Sequence, residues 1–350
     1  MEESPSGNRG STRPTGEENY MMRSNRTWSG HTLRAALLGG ALAALSATGA
    51  WADQPFILEV GGPLSDPFFS TFKRGGDDAA AAEGVRFEFT APNGFDNLSQ
   101  DLAKLIEVGI TRKPDAMVIG DFIPDAEDPG IKAAVAAGIV VVIVNTGADS
   151  WEDDGAIAFV GQDEALAGRE AARAFLAAGV KNAVCVNHVP GNPGTQARCD
   201  GMVAAMTEAG AKGTAFNLPY SDSGNPQQVK QAIMGTLTAD STIDGVFTLG
   251  SGIAEQAMQA VASAGLGGNV QVGTTDISTN TLNAVKSGDL LFDIDQQPYL
   301  QGYYGVLIAA QRLKYGLQPI GMIKTGPMVI DKTNVDAVLE AQKLGVRGAG

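Results

Sequence analysis

Residues 114–125 read PDAMVIGDFIPD, and the fold turns on how this stretch is read. Ala116, Met117, Val118 and Ile119 are apolar without alternation, in a run too short for a helix. That pattern marks a strand buried on both faces. The run ends in Gly120-Asp121, and a helical pattern follows over 130–137. Residues 243–254, IDGVFTLGSGIA, have the same layout: a strand, a small or polar end, then a helix. Working outward, further strand-like runs fall at 56–61, 85–90, 140–144, 156–160, 183–187, 215–218, 270–274 and 291–295. Helical patterns fall between them, at 69–83, 98–112, 165–178, 194–209, 226–238, 253–264 and 300–315. Such alternation predicts an α/β fold with parallel sheets covered on both faces. About a dozen strands exceed what one domain of about 150 residues holds, so two sheets are expected, in halves built alike. No Pro-, Ser- or charge-rich linker separates the halves, so the chain is expected to pass between them on strands.

Composition removes several functions. The chain has 350 residues, a net charge of −14 and only two Cys and two His. An acidic balance argues against nucleic acid and anionic membrane as partners. Two Cys and two His make a Cys/His zinc site improbable, and no metal or cofactor is expected. There is no phosphate loop of the G-x-x-x-x-G-K-[ST] kind, and Gly250-Ser251-Gly252 completes neither a dinucleotide fingerprint nor a G-x-S-x-G elbow.

The first 52 residues read as processing signals. A polar tail with the charged n-region occupies 1–34, with Arg23, Arg26 and Arg34 ahead of an apolar run at 35–47. Ala50-Trp51-Ala52 supplies small residues at both positions of a cleavage site. Residues 35–52 are therefore read as the core and cut of a secretory signal peptide, with translation starting at Met21 or Met22. The mature chain from Asp53 carries 20 basic and 35 acidic residues. It is expected to be soluble and periplasmic, in an oxidising compartment where disulfides persist.

In open parallel sheets, ligands bind beyond the carboxyl ends of strands. The residues there are mostly neutral or singly acidic: Asp66 with Phe68 and Phe69, Asn145-Thr146, Asn187-His188, Gly250-Ser251, Asp276 and Gln296. Each has an ordinary structural reading too. The phenylalanines suit a core, Asp66 and Asp276 suit helix caps, and Arg198, early in a helix, suits packing. His188 suits a satisfied polar position and, with no second His near it, is a poor catalyst or ligand. Cys185 in a strand and Cys199 in the following helix leave open a disulfide or two buried thiols.

Taken together, these stretches resemble the periplasmic sugar-binding proteins of ABC importers, in the ribose-binding-protein-like group of type I solute-binding proteins. The resemblance rests on Ser65-Asp66-Pro67-Phe68-Phe69, Asn187-His188-Val189-Pro190-Gly191, Arg198-Cys199-Asp200-Gly201, Gly273-Thr274-Thr275-Asp276 and residues 295–302, DQQPYLQG, in that order. It implies two Rossmann-like domains joined by three crossing strands. One lobe would take 53–161 plus 297–322 and the other 162–296 plus 323–350. It implies ring stacking by Phe68 and Phe69, and hydrogen bonds to sugar hydroxyls from Asp66, Asn145, Arg198, Asp276 and Gln296. Two departures from the pattern stand out. The group's acid–arginine clamp falls on Asn145 and Thr146, and its Asn-Asp pair falls on Gly250-Ser251. The implied function is capture of a monosaccharide or sugar alcohol by a monomer that delivers it to an ABC permease and its ATPase. A ligand-presenting protein for a membrane sensor, such as a chemoreceptor, is the alternative. No catalytic residue is expected.

Overall fold

A computed structural model describes residues 54–347. The expected tail and signal peptide lie outside the described residues. The described chain forms two six-stranded sheets. The first holds β1 (Phe56–Val60), β2 (Arg86–Thr90), β3 (Ala116–Ile119), β4 (Val140–Val144), β5 (Phe159–Gln162) and β11 (Met322–Gly326), in the order β11-β5-β4-β3-β1-β2. The second holds β6 (Asn182–Asn187), β7 (Lys212–Asn217), β8 (Gly245–Thr248), β9 (Gln271–Thr275), β10 (Phe292–Asp295) and β12 (Met328–Ile330), in the order β12-β10-β9-β8-β6-β7. All pairings are parallel except β10 with β12.

The two orders are the same once β1 is matched to β6 and each later strand to its counterpart. In each sheet the winding reverses beside the first strand, between β1 and β3 and between β6 and β8. Such a reversal opens a crevice at the carboxyl ends of the strands. The strands there are apolar because both faces are covered: β1, β3, β6 and β8 are buried throughout. Two parallel-dominated sheets are what the alternating pattern implied, and their shared strand order is the type I periplasmic binding protein architecture that the resemblance implied. The chain crosses between sheets after β5, after β10 and between β11 and β12.

Helices α1 (Pro67–Glu83) and α10 (Pro298–Tyr315) press together over the first sheet, and α4 (Glu164–Ala177) and α5 (Pro193–Glu208) over the second. Glycine sets both spacings. A methyl group on Gly75 would strike the Tyr299 carbonyl, and one on Gly302 the Phe72 carbonyl. On the other side, a methyl on Gly168 would strike the Arg198 carbonyl, and one on Gly201 the Ala165 carbonyl. Close backbone approach of this kind leaves no room for a side chain. A disulfide joins Cys185 of β6 to Cys199 of α5 across a Cα–Cα distance of 5.4 Å. Closing so short a loop restricts the unfolded chain and contributes about 3 kcal/mol in the loop-entropy picture.

Among the expected helices, one starts well before its expected position. Segment 130–137 is the end of α3 (Pro124–Ala136), which starts six residues earlier. Pro129 lies inside it and suggests a break, but Pro124 at the first helical positions is preorganised for a start. The Glu127 carboxylate accepts from the Ile123 N–H at 2.6 Å, supplying the cap that Ile123 lacks.

Two tests follow from the packing. Gly201→Val should cost about 3 kcal/mol or more, because α4 and α5 must separate at a backbone contact; urea denaturation measures it. Asp293, on β10, is fully buried, and burial, offset in part by the Thr281 hydroxyl, pushes its pKa up to about 7. Between about pH 4 and 7 the folded chain therefore holds a proton that the unfolded chain has lost, so stability falls as pH rises through that window. Asp293→Asn should raise stability at pH 7 and flatten the fall, as read from Tm against pH.

Candidate functional site

The carboxyl ends of the two sheets face one cleft with about 550 Å³ of empty space, solvent at its mouth included. All seven residues singled out in the sequence line it: Asp66, Phe68, Phe69, Asn145, Arg198, Asp276 and Gln296.

Asp66 is the N-cap of α1, its carboxylate accepting from the Phe68 N–H at 2.9 Å. The cap and cleft readings are thus both true of it. The cap fixes the first turn, and with it Phe68 and Phe69, whose rings meet edge to face at 5.0 Å between centroids. Phe122, after β3, meets Phe69 edge to face at 5.5 Å, so an aromatic corner walls one side. Asp276 is not a cap. Ser278 caps α9 (Thr279–Ser287) in a reciprocal box with Thr281. Asp276 sits before it at φ 74°, and Asn145, at the matching position after β4, sits at φ 63°. Asn and Asp are the side chains that best tolerate this left-handed backbone.

Gln296 joins the parts. Its amide oxygen accepts from Arg198 Nη2 at 3.2 Å and from Asn145 Nδ2 at 3.4 Å. Its amide nitrogen donates to Asp276 Oδ1 at 2.5 Å. A residue on a crossing segment thus touches one polar group from the first sheet and two from the second.

Arg198 is buried, and its partner is a residue the sequence reading missed. Nε and Nη2 both bond to Glu164, at the start of α4, while Nη1 donates to Thr275 Oγ1 at 3.1 Å. Gln162 Nε2 donates to the same carboxylate at 2.6 Å. In sequence Glu164 looks like any acid in a first helical turn. It lies 34 residues from Arg198, and only the close approach of α4 and α5 brings them together. His188 is the second residue under-read. It lines the cleft, 9% exposed, with Nδ1 bonded to no protein group. Burial and then the Arg198 charge push its pKa down to about 4, so the ring is neutral at pH 7. A neutral imidazole offers one donor and one acceptor.

The charge balance is acidic. Burial raises the pKa of Asp66 and raises that of Asp276 well above the usual carboxylate range. At Asp276 the Arg198 charge pulls back against burial, while the Asp66 carboxylate adds to the rise. Arg198 is already committed to Glu164. The cleft therefore offers hydroxyl acceptors, a shared guanidinium and neutral amide and imidazole groups. No group of three or more metal-ligating side chains falls among its lining residues.

The family model for the periplasmic binding protein domain matches residues 57–317, and the chain belongs to that family. Its fold is close to that of a carbohydrate transporter protein from Acidothermus cellulolyticus solved with myo-inositol. That match has 32% identity and a TM-score of 0.77, and it covers 84% of this chain and all of the other. An ABC transporter solute-binding protein from Agrobacterium vitis, bound to α-D-tagatopyranose, has 26% identity and a TM-score of 0.75. It covers 85% of this chain and all of the other. Among curated proteins, the xylose/arabinose-binding protein of Sulfolobus acidocaldarius is 23% identical over 82% of this chain and 73% of its own length. Among the described residues, no helix is long and apolar enough to cross a membrane.

The Arg198–Glu164 pair gives a test of structure against binding. Truncating one member of a buried pair strands the other charge, so Glu164→Ala should lower the unfolding free energy by about 3–5 kcal/mol. Replacing both with uncharged residues, Glu164→Gln with Arg198→Met, should recover most of that loss in chemical denaturation.

Proposed function

We propose that this protein is the solute-binding subunit of an ABC importer, and that it captures an uncharged monosaccharide or sugar alcohol between its two lobes. The observation that carries the reading is the makeup of the cleft. An aromatic corner faces a ring of hydroxyl-bonding groups, and the one guanidinium is already shared with a carboxylate. The family supports it, and so do the sugar and inositol named for its relatives.

Each lining residue then has a physical task. Phe68 and Phe69 pack on the apolar face of the ligand ring. Asp66 and Asp276 accept from hydroxyls, Arg198 donates to them, and Asn145 and Gln296 do both. Every one of these groups is held by the protein before the ligand arrives, so little ordering cost remains to be met on binding. A ligand lacking one hydroxyl, or carrying it in the other configuration, leaves a buried group unpaired at about 1–3 kcal/mol. That penalty selects among sugars of equal size. Closure of the lobes buries the ligand, and the ligand's extra contacts in the closed form favour it. The permease reads the closed form, and a chemoreceptor could read the same one. The chain acts in the periplasm as a monomer, after removal of residues 1–52, and binds without turnover.

Calorimetry of the full chain against myo-inositol, tagatose, allose, ribose and xylose tests the reading. At least one should bind, one molecule per chain, with micromolar or tighter affinity. The matching uronic acid or sugar phosphate should not, because it adds an anion to Asp66 and Asp276. For the ligand found, Arg198→Ala and His188→Ala should each weaken binding by about tenfold to a hundredfold. No response to any neutral sugar or polyol, or preference for the charged analogue, would overturn the proposal.

A further inference from the structure

Away from the cleft, on the first lobe, three aspartates meet where two loops and a helix converge. Asp121 follows β3, Asp128 lies on α3, and Asp154 lies in the segment between β4 and β5. Each offers a carboxylate oxygen within 4.8 Å of those from the other two. Asp121 is fully buried and Asp154 is 2% exposed. Oxygens with no hydrogen-bond donor remain on all three: Asp121 Oδ1, Asp128 Oδ1 and Asp154 Oδ2. A fourth acid, Glu127, is also fully buried, with one oxygen lacking a donor, and it repels Asp121.

The local counter-charge is short. Lys132 Nζ stands 3.1 Å from Asp154 Oδ1 and 3.8 Å from Asp128 Oδ2, but its side chain is 52% exposed, so it reaches in from solvent. The Ser150 hydroxyl donates to Asp121 Oδ2 at 2.6 Å, which orients that carboxylate and leaves the other oxygen free. Unpaired carboxylates held away from water are costly. Burial, and then the charges of Asp128 and Asp154, push the Asp121 pKa up to about 7. The aspartates are nonetheless held together by the fold. Asp121 is tied through its N–H to the Thr146 carbonyl at 3.2 Å, and the Asp154 N–H donates to the Ser150 carbonyl at 2.9 Å.

We propose that Asp121, Asp128 and Asp154 bind a hard divalent cation, calcium or magnesium, with Lys132 turning out to solvent when the ion enters. An all-oxygen set of three carboxylates suits these ions and gives soft metals no sulfur or imidazole. The site has a purpose in the fold. It clamps the turn after β3 to the segment that starts with Asn145 and Thr146, so the ion stiffens one wall of the sugar cleft without touching the ligand.

The chain carries its own probe. Trp151 lies between Ser150 and Asp154, and the other two tryptophans are Trp28 and Trp51. Terbium stands in for the ion. With Trp28 and Trp51 changed to Phe in the full chain, and chelator removed, terbium emission excited through Trp151 should rise and saturate at physiological salt. Calcium or magnesium should reverse it, and the ion that does so at lower concentration is the better occupant. The same ion should raise Tm of the chelator-treated protein. Asp154→Asn should weaken terbium binding by about tenfold or more and abolish the Tm shift, because it removes a ligand charge. The ion-free variant should be at least as stable as the ion-free parent, because a repulsion is gone. If that variant fails to fold, Lys132→Gln decides. It keeps all three carboxylates and strips the competing ammonium, so terbium should bind more tightly. The proposal is overturned by an absence of saturable emission up to millimolar terbium. It is also overturned by emission and a Tm shift that Asp154→Asn leaves intact, or by terbium binding that Lys132→Gln leaves unchanged or weaker.

Discussion

Arg198 and Glu164 are buried together, and the cleft is arranged around them. A lone guanidinium in that position would not be tolerated, nor would a lone carboxylate. The pair survives because it is more than a pair. Gln162, Thr275 and Gln296 take up the remaining hydrogen-bonding capacity, as a buried polar network requires. The close approach of α4 and α5 at Gly168 and Gly201 makes the contact possible, and the disulfide at Cys199, next to Arg198, ties α5 to β6. A backbone device thus sets up an electrostatic one.

The same dependence explains what the sequence could and could not reveal. The strands were legible because burial on both faces leaves apolar runs with no alternation, as at Ala116–Ile119 and Val140–Val144. The cap at Asp66 was legible too, since one residue marks the helix boundary and the cleft edge together. Glu164 was not legible as the partner of Arg198, since nothing local distinguishes a buried acid with a distant partner from a solvated one. His188 was legible in position but not in role, because its state follows from burial and from the charge of Arg198. The expectation of no metal was argued from Cys and His. A scarcity of Cys and His says nothing of an oxygen-only cluster such as Asp121, Asp128 and Asp154, whose members come from three separate segments.

The two sheets repeat one winding, yet they bring unequal groups to the cleft. The first contributes the aromatic corner and Asn145, and the second contributes Arg198, Asp276 and His188. Gln296, on a crossing segment, bonds to residues from both. Those bonds tie a crossing segment to polar groups of both sheets at the cleft. Any movement of one sheet against the other would therefore have to break or exchange hydrogen bonds of Gln296.

Asn145 and Asp276 occupy matching places after β4 and β9, and both have left-handed backbones. That geometry limits which side chains can stand there: glycine, asparagine and aspartate fit easily, and larger or β-branched residues do not. Two walls of the cleft are therefore confined to a very small alphabet by the backbone. A descendant of this chain acquiring a new ligand would have little freedom at those two positions. Its innovation would have to come through Asp66, His188, Arg198 or the aromatic corner, where the backbone sets no such limit.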